Sequence, residues 1–403
     1  MLIVAGDPFV LYDKKSKKYY CYSTKEKYDA NFAIYESNNL YDWDFVDFAI
    51  RKDDPNNVGE SWYWAPECYY NENNGYYYLF YSCRLKKEYL TKHFGTENFV
   101  EGCKICLAVS KSPKGPFKIL ENNPIDFYPF DEKYIDINSV TDNPFDPKVT
   151  KETLNSVKKE NIGVYFPFID VNLLFDEDRI FLYCSRNCYK NCLYDDEKRK
   201  FIEESCVIGV ELETEWWKSK TPVMPKIKKE FINFVDGRRK DKYVNLISYR
   251  NQPQAWENAN ADDYFKTKGQ LPNRRWSEGS TTFVVNIGGK KKYALTYSCN
   301  FYGSKYYAVG IAFSDNPLGP FVKSKANPII GESGDGFVSS VGHGCVVYKG
   351  KDTYYAHHAR QMGSDRVLAI TKFKINSEDN IEVGKTEFAN SLVVNKDDEG
   401  FVA

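Results

Sequence analysis

Asp7-Pro-Phe-Val-Leu-Tyr-Asp13, then a lysine-rich turn, then Lys18-Tyr-Tyr-Cys-Tyr-Ser23 reads as strand, tight turn, strand. The same unit returns four times. Ala65-Pro-Glu-Cys-Tyr-Tyr-Asn71 leads through Asn74-Gly75 into Tyr76–Ser82, and Asp170-Val-Asn-Leu-Leu-Phe-Asp176 leads into Arg179–Ser185. Glu278-Gly-Ser-Thr-Thr-Phe-Val284 leads through Gly288-Gly289 into Lys292–Ser298, and His343-Gly-Cys-Val-Val-Tyr348 leads through Gly350 into Thr353–His358. The following halves repeat as well. Ile105–Ser110 with Ser112-Pro-Lys-Gly-Pro-Phe117 matches Val309–Ser314 with Asn316-Pro-Leu-Gly-Pro-Phe321, and Phe32–Ser37, Val207–Leu212 and Val367–Lys372 fill the same place in the other units. Each unit is expected to be a four-stranded antiparallel meander.

Five such sheets cannot each bury two faces alone, so they are expected to pack around an axis as a five-bladed β-propeller. A β-sandwich would not demand the same motif at every first strand. The expectation is an all-β single domain over 1–403, with blades near 7–50, 64–120, 168–217, 276–325 and 340–376. Inserts at Arg84–Gly102, Glu121–Pro167 and Lys218–Arg275, the last with a short helix near Ala255–Phe265, are expected to gather as long rim loops.

Composition narrows the partners. The 403 residues carry a formal net charge of −1, so nothing favours phosphate backbones or anionic membranes; neither nucleic acid nor a membrane is expected as a partner. No run approaches the roughly 20 apolar residues of a membrane span. Met1–Gly6 has no basic leader pattern, so the expected setting is the cytoplasm, or outside the cell if a leader was removed. The 11 cysteines lie mostly in strand-like runs and read as reduced structural thiols, including the lone Cys103/Cys106 pair and the loose Cys184–Cys206 cluster. Aromatic residues make up 16 %; most are expected to fill sheet cores, a few to meet sugar faces.

Superposing the units puts Asp7, Ala65, Asp170, Glu278 and His343 at one position, the entry to the innermost strand. Innermost strands line the axis, so these residues converge although far apart in sequence. Clustered carboxylates raise one another's pKa and cost stability, so three of them at matched positions point to function rather than to turn capping. Glu67, two residues beyond Ala65, is expected along the axis without a catalytic role.

Gly6-Asp7-Pro8, Trp64-Ala65-Pro66-Glu67, Ile169-Asp170, Ser277-Glu278-Gly279 and Gly342-His343-Gly344 together resemble the blade-entry motifs of glycoside hydrolase family 43. The resemblance spans Asp7 to about Lys372. It implies Asp7 as general base, Glu278 as general acid, Asp170 as the residue that tunes and orients the acid, and His343 as an axial histidine holding a water or a weakly bound cation, Ca²⁺ among them. It implies no required cofactor. It also implies an inverting hydrolase of terminal α-L-arabinofuranose or β-D-xylose, and the long rim loops with the expected cytoplasmic setting point to exo action on small plant cell-wall oligosaccharides. An endo-arabinanase and a non-catalytic sugar-binding propeller are the alternatives. Candidate substrate contacts are Trp64 and Trp276 as platforms, and Arg366 or Arg360 as a cation at the sugar. His357 and His358 alternate along one strand, so one faces inward.

Overall fold

The computed structural model describes residues 1–25, 32–94, 97, 101–128, 167–186, 192–195, 200–235, 237–267 and 273–392. Most of the Glu121–Pro167 insert, and Cys188 of the cysteine cluster, lie outside these residues.

Five sheets form the blades of a propeller. Their innermost strands are Gly6–Asp13, Gly59–Asn71, Ile169–Asp176, Ser277–Ile287 and Val338–Lys349. Each pairs antiparallel with the next strand of its blade: Lys18–Thr24, Tyr76–Leu85, Arg179–Arg186, Lys290–Cys299 and Asp352–Gln361. Third strands at Phe32–Ser37, Cys103–Ser110, Cys206–Leu212, Ala308–Ser314 and Val367–Ser377 complete the pattern read from the repeats. The helix foreseen near 255–265 is a 3₁₀ turn, Ala255–Asn258, running into Ala259–Lys266.

Two blade limits differ from the sequence expectation. The third blade does not end near 217: its fourth strand is Val244–Ile247, reached only after a long excursion, and it pairs Val207 with Ile247. The fifth does not end near 376: its fourth strand is Asn380–Phe388. That strand is largely exposed and charged, so it has no apolar alternation to betray it. The ring then closes from both chain ends. Asn390–Ser391 lies parallel to the outer strand of the first blade, Asp42–Phe48, and the amide of Ala5 donates to the carbonyl of Arg366 at 2.8 Å.

The core lies between the sheets. Tyr22, Phe32 and Leu79 belong to one cluster between the first and second blades, and Tyr183, Leu295 and Phe321 to another between the third and fourth. The aromatic share is therefore spent mainly on blade-to-blade packing, as β-propensity and ring area favour. All nine cysteines with described side chains are buried thiols.

Glu67 lies inside the ring, buried, accepting hydrogen bonds from the Tyr69 hydroxyl and from Asn172 Nδ2 (3.2 Å). Burial pushes its pKa from 4.5 up to about 8, with the nearby Asp170 charge adding to the rise. Folded Glu67 therefore keeps its proton where the unfolded chain has lost it. Its contribution to stability is fully present below pH 4.5 and is lost as the pH climbs toward 8. Glu67→Gln keeps an acceptor for both donors and removes this loss. The melting temperature of the variant relative to the parent is expected to rise between pH 5 and pH 8; an offset that stays constant, or falls, contradicts the buried neutral carboxyl.

Candidate active site

The entry to each innermost strand is a bulge. Register shifts fall between Gly6 and Phe9, Trp64 and Glu67, Ile169 and Asn172, Glu278 and Thr281, and on either side of Gly342. In each, one residue takes a left-handed backbone: Asp7 (φ 46°), Ala65 (50°), Asp170 (58°), Gly279 (58°) and His343 (38°). For a residue with a Cβ this costs about 1–2 kcal/mol, so four non-glycine residues holding it need compensation.

Part of the compensation is an interblade hydrogen bond. The left-handed turn takes the amide off its own ladder and aims it at the second strand of the preceding blade. Ala65 N–H donates to Thr24 Oγ1 (2.9 Å), Gly279 N–H to Ser185 Oγ (3.0 Å), and His343 N–H to Ser298 Oγ (2.8 Å). At the joint that closes the ring, Asp7 N–H donates to His358 Nδ1 (3.3 Å). Nδ1 is then an acceptor and the proton sits on Nε2. Burial pushes His358 down to about 3, which keeps it in this neutral form. His357 points the other way, with Nε2 2.8 Å from Thr371 Oγ1.

The register corrects one expectation. Residues facing Thr24, Ser82, Ser185, Ser298 and His358 across the ladder are Gly6, Trp64, Ile169, Glu278 and Gly342. Glu278 is therefore equivalent to Trp64, not to Asp7 and Asp170; the blade-four counterpart of those two is Gly279. Superposing the polar residues hid the offset. The signal available was Gly279 itself, the residue best suited to φ > 0.

Asp7 and Asp170 occupy one position at their strand entries and Glu278 the position before it, and their neighbours treat them differently. Arg366 Nη1 lies 2.6 Å from Asp7 Oδ1, and His343 Nδ1 lies 3.3 Å from the same oxygen. Burial alone would raise Asp7, but Arg366 first and His343 next outweigh it and hold the carboxyl well below the usual range. Gly6 makes this contact possible: a Cβ there would stand 2.5 Å from Arg366 Nη2. Asp170 is pushed the other way, by burial and by the Asp7 charge, against the pull of His343 at 3.9 Å. Its Oδ2 accepts the Gly279 amide (3.1 Å), which ties it to the backbone beside Glu278.

Glu278 is buried and accepts a hydrogen bond from the Tyr307 hydroxyl (2.9 Å). Burial and then the charges of Glu278, Asp7 and Asp170 push Tyr307 well above its ordinary pKa, so it stays a donor. Its ring stacks on His358 (5.6 Å, 4°) and packs over Gly342, where a Cβ would meet Tyr307 Cε1 at 2.1 Å. Tyr307 was missed in the sequence because it sits in the loop before Ala308–Ser314, outside any repeat.

The remaining candidates separate. Trp64 is half-buried at the axial mouth and stacks on Trp62 (5.2 Å, 9°). Trp276 is only 1 % exposed, its indole N–H bonded to Glu203 Oε1 (3.1 Å) and Arg274 over its ring (4.5 Å), so it presents no face to a sugar. Arg366 reaches Asp7, whereas Arg360 donates to the Ser364 carbonyl (2.6 Å) in the turn after its strand. His343 turns Nδ1 to two carboxylates, and among the described residues no group of three or more His, Cys, Asp or Glu side chains is arranged to hold a metal.

No curated protein matches the chain. Among solved structures, a thermostable family-43 glycoside hydrolase is similar at 25 % identity and TM-score 0.62, covering 95 % of this chain and 93 % of that one. An endo-1,4-β-xylanase from Bacteroides thetaiotaomicron is similar at 22 % and 0.62, covering 97 % and 98 %. An α-L-arabinofuranosidase from Lactobacillus brevis is similar at 13 % and 0.55, covering 94 % of each. Residues 3–144 and 167–381 match Glycosyl hydrolases family 43, and the chain belongs to that family of glycoside hydrolases.

Proposed function

We propose that this chain is an inverting exo-glycoside hydrolase that removes terminal α-L-arabinofuranose and/or β-D-xylose from plant cell-wall oligosaccharides, in a cytoplasmic setting. The observation that carries the reading is a carboxylate clamped by Arg366 at Asp7 and a buried carboxyl held by Tyr307 at Glu278, on well-separated blades of one ring. Inversion needs an ionised base to activate water on one sugar face and a protonated acid at the leaving oxygen on the other. Asp7, clamped by Arg366 and facing His343, is suited to stay ionised and take the water's proton. Glu278 is the acid. It donates its proton to the departing oxygen as the glycosidic bond breaks, and Tyr307 fixes its carboxyl meanwhile. Asp170 orients Glu278 through the Gly279 amide. Trp64 is the sugar platform, with Trp62 stacked behind it. The pentose class is supported by the likeness to an endo-1,4-β-xylanase and an α-L-arabinofuranosidase, and exo action by the long inserts of the second and third blades. No step runs through a metal.

Asp7→Asn and Glu278→Gln are each expected to lower hydrolysis of terminal pentosides by ~10²–10⁴-fold with the melting temperature kept. Losses below tenfold in both variants sink the assignment. Chromogenic α-L-arabinofuranoside and β-D-xyloside, set against dye-linked arabinan and xylan, separate exo from endo action: release from the polymers alone rejects the exo reading.

Arg366 gives a second test. The acidic limb of kcat/KM against pH reports the group that must be ionised in the free enzyme. Gly6→Ala pushes the guanidinium off Asp7, so the Asp7 pKa rises toward the ordinary carboxylate range and the limb moves to higher pH. A limb that stays in place while the variant remains active contradicts the role given to Arg366.

A further inference from the structure

Outside the blades the chain builds one small sheet whose place bears on Glu278. Lys200–Glu204 pairs antiparallel with Cys192–Asp195 and parallel with Arg274–Arg275, in the register Glu203 to Arg274 and Glu204 to Arg275. Arg274 and Arg275 lead directly into Trp276, Ser277 and Glu278. Each of the four residues before Glu278 is held by a side chain of Glu203-Glu204-Ser205. Arg274 Nε lies 3.5 Å from Glu203 Oε2, and Arg275 Nε donates to Glu204 Oε1 (2.9 Å). Trp276 Nε1 donates to Glu203 Oε1 (3.1 Å). Ser277 N–H donates to Ser205 Oγ (2.9 Å), and Ser205 Oγ donates back to the Ser277 carbonyl (3.0 Å).

Two carboxylates stand in this arrangement where water does not reach. Glu203 is fully buried and Glu204 nearly so. Burying a carboxylate is costly even when paired, and an apolar pair of the same shape would hold two strands together at least as well. What the polar version adds is direction. Two hydrogen-bond acceptors on consecutive residues fix the rotation of the strand as well as its distance. Glu204 is anchored in turn by Arg250, whose Nε donates to Oε2 (2.9 Å). The pKa of Glu203 is driven well up by burial and also by the charge of Glu278, so the two carboxyls sense each other.

We propose that Glu203 is a positioning residue for proton donation: through Trp276 and Arg274 it sets the approach of the strand that carries Glu278. The inference rests on Glu278 being the general acid. Glu203 does not touch substrate; it acts by keeping the Glu278 carboxyl at the leaving oxygen. Its loss must then harm those reactions that need a proton delivered to the leaving group and spare those that do not.

The test uses the full chain with two substrates of one pentose. One carries 2,4-dinitrophenolate, which departs without protonation; the other is the pentobiose, whose leaving alcohol needs it. Glu203→Ala is expected to lower kcat on the pentobiose by roughly 10–100-fold, with KM little changed, and on the dinitrophenyl pentoside by less than about threefold. Glu203→Gln, which keeps an acceptor for the Trp276 indole, is expected to restore most of the loss. If Glu203→Ala does not fold, Trp276→Phe, which removes only the donor to Glu203, is read instead and must show the same selectivity. Equal losses on both substrates overturn the proposal. Glu278→Gln run alongside keeps the two claims apart. If it is selective and the Glu203 variants are not, the positioning role fails alone. If it is itself unselective, the acid assignment fails and the positioning role falls with it.

Discussion

An amide that leaves its own β-ladder at the strand entry, in four of the five blades, is the feature on which both the ring and the site depend. A left-handed residue turns its N–H from the partner strand to an acceptor on the blade before it, at Ala65, Gly279, His343 and Asp7. Each such bond contributes about 0.5–1.5 kcal/mol, comparable to the conformational cost at that residue. The bulge therefore costs little net stability while it re-aims the side chain into the axial mouth. The same bonds tie neighbouring blades together, and one of them starts from Asp7 itself. At the closing joint the acceptor is His358 rather than a hydroxyl. Its burial serves the latch: a protonated ring could not accept from Asp7.

Electrostatics then divides labour among groups that geometry alone would leave similar. Asp7 sits between Arg366 and His343, whose charges outweigh its burial and hold its pKa well below the usual range. Asp170 faces the Asp7 charge and bonds a backbone amide, and is pushed toward its neutral form. Tyr307 contributes a hydroxyl that keeps its proton among three carboxylates. Little of this needs a cofactor: the asymmetry comes from which side chains the closing blade brings to Asp7. Arg366 and His358 both belong to the fifth blade, so the N-terminal bridge from Leu2 to Ala5 onto residues 366–368 and 389–390 also brings them to Asp7.

The repeats made the architecture legible because each first strand carries the same apolar run and each second strand ends in a hydroxyl or histidine at the latch. The three carboxylates were legible because they stand beside those runs. The one-residue offset of Glu278 was not, since a bulge changes which residue faces the axis without changing residue type. Trp276 looked like a platform from its place beside Glu278, but Glu203 and Arg274 claim its edge and its face. Tyr307 and Glu203 lie in connections whose partners are distant in sequence, and no local pattern announces them. The fourth strands at Val244–Ile247 and Asn380–Phe388 were hidden by a long insert in one case and by a charged, solvent-facing edge in the other.

The account turns on Asp7 acting through a water rather than attacking the sugar itself. An ionised carboxylate is competent for either, and its separation from the acid decides: a retaining pair stands only about 5–5.5 Å apart, an inverting pair about 6.5–9.5 Å. Proton NMR of the sugar released in the first minutes of hydrolysis, before mutarotation, reads the outcome directly. The account predicts a first-formed pentose whose anomeric configuration is opposite to that of the bond cleaved. A product that retains the configuration would contradict it, because Asp7 would then be a nucleophile forming a covalent glycosyl-enzyme.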